Sequence, residues 1–164
     1  MNKEFVEIAK QDDNREKIVQ IMSEGNRLRN DLKNMACQIK DDLMKYSKSF
    51  DKQSVDQEKD QMAATAYFQN CCLPETKYNV AIEVIVDVDG FDIQIYEIEN
   101  QFDPEFKNIL LGEILSDKEY EIRYSTRVNY KDPIELEEYD KLIKILIDLF
   151  KAFDNYINNK KHGA

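Results

Sequence analysis

The chain has 164 residues, 42% hydrophobic and 34% charged, with four glycines, three prolines and a formal charge of −10. That length fits one domain, or one domain with a helical extension, and its richest apolar run, Leu142 to Phe150, is broken by Lys144 and Asp148, so no membrane span is expected. Cys37, Cys71 and Cys72 have no C-x-x-C spacing and the one histidine is His162, which points to free thiols in a reducing, cytoplasmic setting; a Cys/His zinc site would need carboxylates or a partner chain to complete it.

From Asn14 to Phe50, apolar residues fall at Ile18, Ile21, Leu28, Leu32, Met35, Ile39, Leu43, Tyr46 and Phe50, with Gly25 in one slot. This spacing predicts one long helix, roughly 55 Å at ~1.5 Å per residue, with a stutter where Asp42 precedes Leu43. Asp51-Lys52-Gln53 breaks it, and Ser54 with Gln57 reads as the capping box of a second helix ending before Pro74. The small residues Ala63, Ala64 and Ala66 suit close approach of that helix to the first. Residues 1–74 are therefore read as a helical hairpin or arm, and 75–164 as a sheet with a terminal helix, the two forming one cooperative unit.

Val80, Ile82, Val84, Val86 and Val88 alternate with Ala81, Glu83, Ile85, Asp87 and Asp89, a strand pattern. Asp89-Gly90 signals a tight hairpin turn, pairing Val88 with Phe91, Val86 with Ile93 and Val84 with Ile95. Asp103-Pro104-Glu105 reads as the start of a short helix and Gly112 as its stop. A second hairpin is expected to turn at Asp117-Lys118. Its outgoing strand runs from Tyr120 to Tyr130, with Tyr120, Ile122, Tyr124, Thr126, Val128 and Tyr130 facing inward. Asp132-Pro133-Ile134-Glu135 opens the last helix, whose broad stripe includes Leu136, Tyr139, Ile143, Leu146, Phe150, Phe153 and Ile157. The expected fold is α+β: a long N-terminal helix or helical hairpin, an antiparallel sheet of about four strands, and a long C-terminal amphipathic helix packed on it.

Val80 to Ile122 holds twelve acids against Lys107 and Lys118, and so equals the whole net charge. Asp87, Asp89 and Asp92 crowd the hairpin tip, with Asp87 and Asp92 expected opposite one another on the solvent face and Arg123 or Arg127 available to compensate. The D-x-D-G core resembles part of an EF-hand loop, but Ile85 and Tyr96 stand where outer ligands belong. Continuing the register aims Glu97 and Glu99 at the core. Either a bulge or strand end near Tyr96 turns Tyr96 and Ile98 inward instead, or the carboxylates form an acidic cluster at the end of the sheet. Asp87 and Glu97 across a hairpin faintly resemble the PD-(D/E)xK pattern of divalent-metal nucleases, although Glu99 stands where that pattern has lysine.

The sequence shows no nucleophile–histidine arrangement, phosphate loop or dinucleotide fingerprint, and its acidity disfavours direct nucleic-acid binding. The leading expectation is a non-enzymatic, cofactor-free acidic module of the inhibitor type (immunity, antitoxin or phage anti-defence). It would engage the basic surface of a partner protein through Asp87, Asp89, Asp92, Glu97 and Glu99. The alternatives are a structural protein that self-associates through its helices, and a metal-dependent nuclease or phosphodiesterase using Asp87, Glu97 and Glu99.

Overall fold

The computed structural model describes residues 12–57, 61–99, 103–115, 119–123 and 127–162. Helix α1 (Asp12–Leu43) is followed by turns to Phe50, then by strands β1 (Lys52–Asp56), β2 (Ala63–Cys72), β3 (Asn79–Asp87) and β4 (Phe91–Glu97). Helix α2 (Pro104–Ile109) runs into a π-type turn, Leu110–Ile114. Strands β5 (Tyr120–Arg123) and β6 (Arg127–Tyr130) come next, and a 3-10 turn at Leu136–Glu138 opens helix α3 (Tyr139–His162). The chain is α+β, with one antiparallel six-stranded sheet in the order β1-β2-β3-β4-β6-β5.

Two strands therefore stand where a second helix was expected. The run Ala63-Ala64-Thr65-Ala66-Tyr67-Phe68 is rich in alanine, a strong helix former, yet it alternates. Ala64, Ala66 and Phe68 are buried, while Ala63, Thr65, Tyr67 and Gln69 are half-buried on the other face. A bulge at Asn70, in the left-handed region at φ 63°, then turns Cys71 inward. The chain between 120 and 130 is likewise two strands rather than one, paired Tyr120 with Tyr130 and Ile122 with Val128; Val128 and Tyr130 are buried, Ile122 is 48% exposed, and Tyr124 and Thr126 lie outside the described residues. The turn expected at Asp117-Lys118 lies outside the described residues.

Both long helices lie on one face of the sheet. Leu32, Ala36, Ile39 and Leu43 of α1 are buried there, as are Leu142, Leu146, Leu149, Phe150 and Phe153 of α3. Phe150 packs edge-on to Phe68 of β2 at 4.9 Å and to Phe50 at 5.3 Å, joining sheet and helices in one core. Leu43 fills the core where the stutter put it, and Asp42 beside it accepts a hydrogen bond from Tyr139 of α3 at 2.7 Å. The three cysteines are free thiols, and burial first, then the neighbouring Cys72 and acids, pushes Cys71 up to about 12.

The ends of α2 and α3 refine the expected boundaries. Asp103 caps α2 as read, its carboxylate accepting the Glu105 amide at 2.9 Å, but helical structure continues through Gly112 to Ile114. The start of α3 moves to a capping box formed by Glu135 and Glu138, because Ile134 is recruited elsewhere: its carbonyl accepts the Phe91 amide at 2.9 Å in an isolated bridge.

Candidate functional site

The bridge between Phe91 and Ile134 joins two acidic segments distant in sequence. Residues 87–92 carry Asp87, Asp89 and Asp92, residues 132–140 carry Asp132, Glu135, Glu137, Glu138 and Asp140, and neither segment holds a base. The hairpin geometry makes this possible. Asp87 and Gly90 pair across the turn, with Val88 and Asp89 between them, and the Asp87 carboxylate accepts the amides of Asp89 at 2.8 Å and Gly90 at 3.0 Å. Gly90 has φ 144°, and a Cβ there would stand 2.2 Å from the Ile134 oxygen, so only glycine lets the tip seat against the start of α3. Phe91 then meets Tyr139 at 6.3 Å, and Tyr139 in turn reaches Asp42 at the end of α1. Three chain segments thus build one acidic corner. Glu135 feels the crowding: its hydrogen bond to Glu137, then the charges of Glu137 and Glu138, hold its carboxyl above the usual range. Past the Gln94–Asn129 pair β4 and β6 separate, and a cleft lined by Phe91, Asp92, Ile93, Tyr130 and Lys131 opens beside the corner.

The sheet face away from the helices carries a polar row in register across all six strands: Ser54, Tyr67, Glu83, Gln94, Asn129 and Glu121. Among the described residues no helix covers this face, yet Glu83 and Asn129 are buried at 7% and 1% exposure. Glu83 accepts hydrogen bonds from the Tyr96 hydroxyl and from Arg127, whose guanidinium lies 4.4 Å from the Tyr96 ring centre and also donates to Gln94 at 2.6 Å. The Gln94 amide donates onward to Asp92 at 2.7 Å, and Asn129 donates to the same carboxylate at 3.3 Å. Asp92 therefore ends a chain of bonds that begins at the buried ion pair.

These contacts alter the tyrosines. Burial first, then the hydrogen bond and charge of Glu83, raise the Tyr96 phenol above its ordinary value, and burial with Asp42 does the same for Tyr139. A folded-state pKa above the unfolded one means a contribution that is complete below about pH 10 and lost as pH climbs beyond it. In an alkaline absorbance titration, part of the nine-tyrosine signal should appear only together with cooperative unfolding. Tyr96→Phe should shrink that delayed fraction. Smooth titration of every phenol near its ordinary value, with the fold intact, would contradict these contacts.

Of the expected site residues, Asp87, Asp89 and Asp92 belong to this corner and Glu97 and Glu99 do not. The observed register pairs Val86 with Phe91, Val84 with Ile93 and Ile82 with Ile95, two residues from the expected one. An even shift leaves every side chain on its own face. It does move Asp92 opposite Ile85, so Asp87 and Asp92 are not directly paired. Arg127 answers Glu83 rather than either aspartate. No bulge occurs at Tyr96: Glu97 stays in register opposite Val80, is 2% exposed on the core face, and its carboxylate accepts the Asn79 amide at 3.4 Å. Glu99 follows the strand end and is exposed.

Asp87 pairs at the opposite end of the hairpin, seven residues of strand from Val80, or roughly 23 Å at about 3.3 Å per residue, and on the other face. Asp87, Glu97 and Glu99 therefore cannot share a metal ion, and among the described residues no three His, Cys, Asp or Glu side chains converge to hold one. The expected site leaves out Glu83 and the acids at the start of α3. A signal for the first was available, since Glu83 sits in mid-strand between apolar neighbours. No protein family, curated protein or solved structure matches the chain. Among the described residues no helix is long and apolar enough to cross a membrane.

Proposed function

We propose that this protein is a non-enzymatic binding module of the inhibitor type, whose acidic corner engages a basic surface on a partner protein. The observation that carries the reading is the seating of the Asp87–Asp92 hairpin against the start of α3, which gathers eight carboxylates from two segments, with Lys131 and Lys141 at the edges and Lys141 paired to Glu138 at 3.1 Å. Such a field steers a basic partner over a distance and discriminates by charge. A cationic side chain entering the corner also relieves the crowding at Glu135. An acidic surface of this kind can occupy a site on a nucleic-acid enzyme where phosphates would otherwise dock.

The test is retention of a basic protein from the native host at low salt, followed by affinity measurements on the purified pair. Affinity should fall steeply as salt rises. Asp89→Lys with Asp140→Lys, both exposed, should weaken binding at least about tenfold, or ~1.4 kcal/mol. Glu99→Lys, outside the corner, should leave it nearly unchanged. Binding indifferent to salt, or lost equally with Glu99→Lys, would remove this reading.

A further inference from the structure

Strand β1 is an edge of the sheet: it pairs with β2 on one side and, among the described residues, with no strand on the other. The ladder fixes which of its backbone groups face outward. The Asp87 amide donates to the Gly90 carbonyl, and the Asn79 carbonyl accepts the Ile98 amide, so the odd-numbered residues of β3 turn their peptide groups to β4 and the even-numbered ones to β2. Through the pairs Val86–Ala64, Val84–Ala66 and Ile82–Phe68, the even-numbered residues of β2 face β3, which leaves Thr65, Tyr67 and Gln69 to face β1. Their partners Asp56, Ser54 and Lys52 therefore use their peptide groups inside the sheet. Gln53 and Val55 point N–H and C=O away from it.

An open edge is a template for another strand, and natural sheets commonly guard it with proline, a bulge or repelling charge. Strand β1, Lys-Gln-Ser-Val-Asp, has no proline and pairs with β2 without a bulge. Its two charges have opposite signs and stand at opposite ends. Lys52 and Asp56 are exposed, share the open face with Ser54, and form no ion pair among the described residues. An antiparallel second copy centred on Ser54 sets Lys52 against Asp56 twice, and Gln53 against Val55 twice. The charged pairs then fall at positions without backbone bonds, where opposed Cα atoms approach to about 4.5 Å and side chains are closest. A shift of two residues either way sets a charge against Ser54 instead, and an odd shift brings opposite faces together. The strand carries its own complement.

We propose that β1 pairs with β1 of a second copy, antiparallel about a two-fold axis at Ser54, to form one continuous sheet across a homodimer. The interface is isologous. The outward peptide groups of Gln53 and Val55 supply its backbone hydrogen bonds, and a Lys52–Asp56 pair closes each end. A seam of five residues per copy is short, so the dimer is weak and reversible, with a dissociation constant of about 100 µM. The acidic corner is built on the β3–β4 hairpin and the start of α3, with β2 between it and the seam. Dimerisation leaves it open.

Sedimentation equilibrium from about 5 µM to about 500 µM should show the mass rising reversibly from 19.4 kDa towards twice that value and not beyond it. Over the upper tenfold of that range, amide exchange at Gln53 and Val55 should slow at least about twofold, while Ser54, already bonded to Tyr67, should not change. Val55→Pro deletes an outward N–H and no bond of the β1–β2 ladder, so it should keep the wild-type circular dichroism and remain a monomer. Lys52→Asp and Asp56→Lys, which alter only exposed side chains, should each weaken the dimer about tenfold, and together restore it. A strict monomer over the whole range overturns the proposal. So does association that grows beyond a dimer, that folded Val55→Pro retains, or that leaves exchange at Gln53 and Val55 unchanged. Failure of the paired charge reversal to restore affinity overturns the register at Ser54. None of these results depends on the acidic corner binding anything.

Discussion

Gly90→Ala should destabilise the protein by about 3 kcal/mol or more, the largest loss expected from a single methyl group in this chain. Two costs combine. The backbone at φ 144° is one that side-chain-bearing residues rarely adopt, and the new Cβ would stand 2.2 Å from the Ile134 carbonyl oxygen and 3.2 Å from its carbon. These are backbone atoms and cannot rotate aside. Relief requires the hairpin tip to withdraw, which breaks the Phe91–Ile134 hydrogen bond and loosens the contact of Phe91 with Tyr139. Neighbouring substitutions calibrate the measurement. Asp87→Ala removes an acceptor serving two turn amides and should cost about 1–2 kcal/mol. Asp89→Ala changes an exposed side chain and should stay within about 0.5 kcal/mol. Urea unfolding of the three variants decides the matter: a Gly90→Ala loss below about 1 kcal/mol would mean that the tip and α3 are not locked together. If the acidic corner is the binding surface, Gly90→Ala should also weaken partner binding at temperatures where the variant remains folded, because its two halves are no longer held in register.

Gly90 also shows how far the sequence could be read. Asp89-Gly90 announced a hairpin correctly, but the glycine serves a tertiary approach to Ile134, which lies 44 residues further along the chain, and no local pattern reveals that. The turn consequently sits one residue earlier, at Val88-Asp89, and the strand partners shift by two. Because the side-chain period of a strand is two, Val80, Ile82, Val84, Val86, Phe91, Ile93 and Ile95 keep the inward face despite the wrong register, while Val88, expected with them, falls in the turn and is 50% exposed. The same parity carried Glu97 into the core, as its place in the alternation required, where a bulge offered the less costly answer. Residues 52–72 were misread because alanine favours helix by intrinsic propensity, whereas burial on one sheet face decides its conformation here. The charge was legible in amount and only partly in place. A block confined to Val80–Ile122 describes the hairpin half of the corner, and the α3 half becomes visible once Phe91 and Ile134 are seen to pair. Half of the site thus lay in local sequence and half in a long-range contact.

The buried pair of Glu83 and Arg127 gives the other large effect. Arg127→Met should cost about 3 kcal/mol, because it leaves the Glu83 carboxylate, 7% exposed, with the Tyr96 hydroxyl as its remaining partner in this network and removes the cation stacked on that ring. Glu83→Gln should cost less, about 1–2 kcal/mol, since the amide still meets Tyr96 and the guanidinium, with a side chain 27% exposed, keeps Gln94 and solvent. Replacing both charges with methionine should be milder than the sum of the single changes, because neither charge is then left alone. The double-mutant cycle should give a coupling of about 1.5–3 kcal/mol that persists at high salt, unlike an exposed pair on the helices such as Lys151 with Asp148. The ion pair also fixes Gln94, and through it Asp92, the acid of the corner that this bonded chain reaches. Arg127→Met should therefore loosen Asp92 as well as the fold, with chemical-shift changes at Gln94 and Asn129 and, if the acidic corner is the binding surface, weaker partner binding while Asp89 and Asp140 remain intact. Additive single and double changes, or shifts confined to Glu83 and Tyr96, would show that the bonded chain across the sheet transmits nothing to the corner.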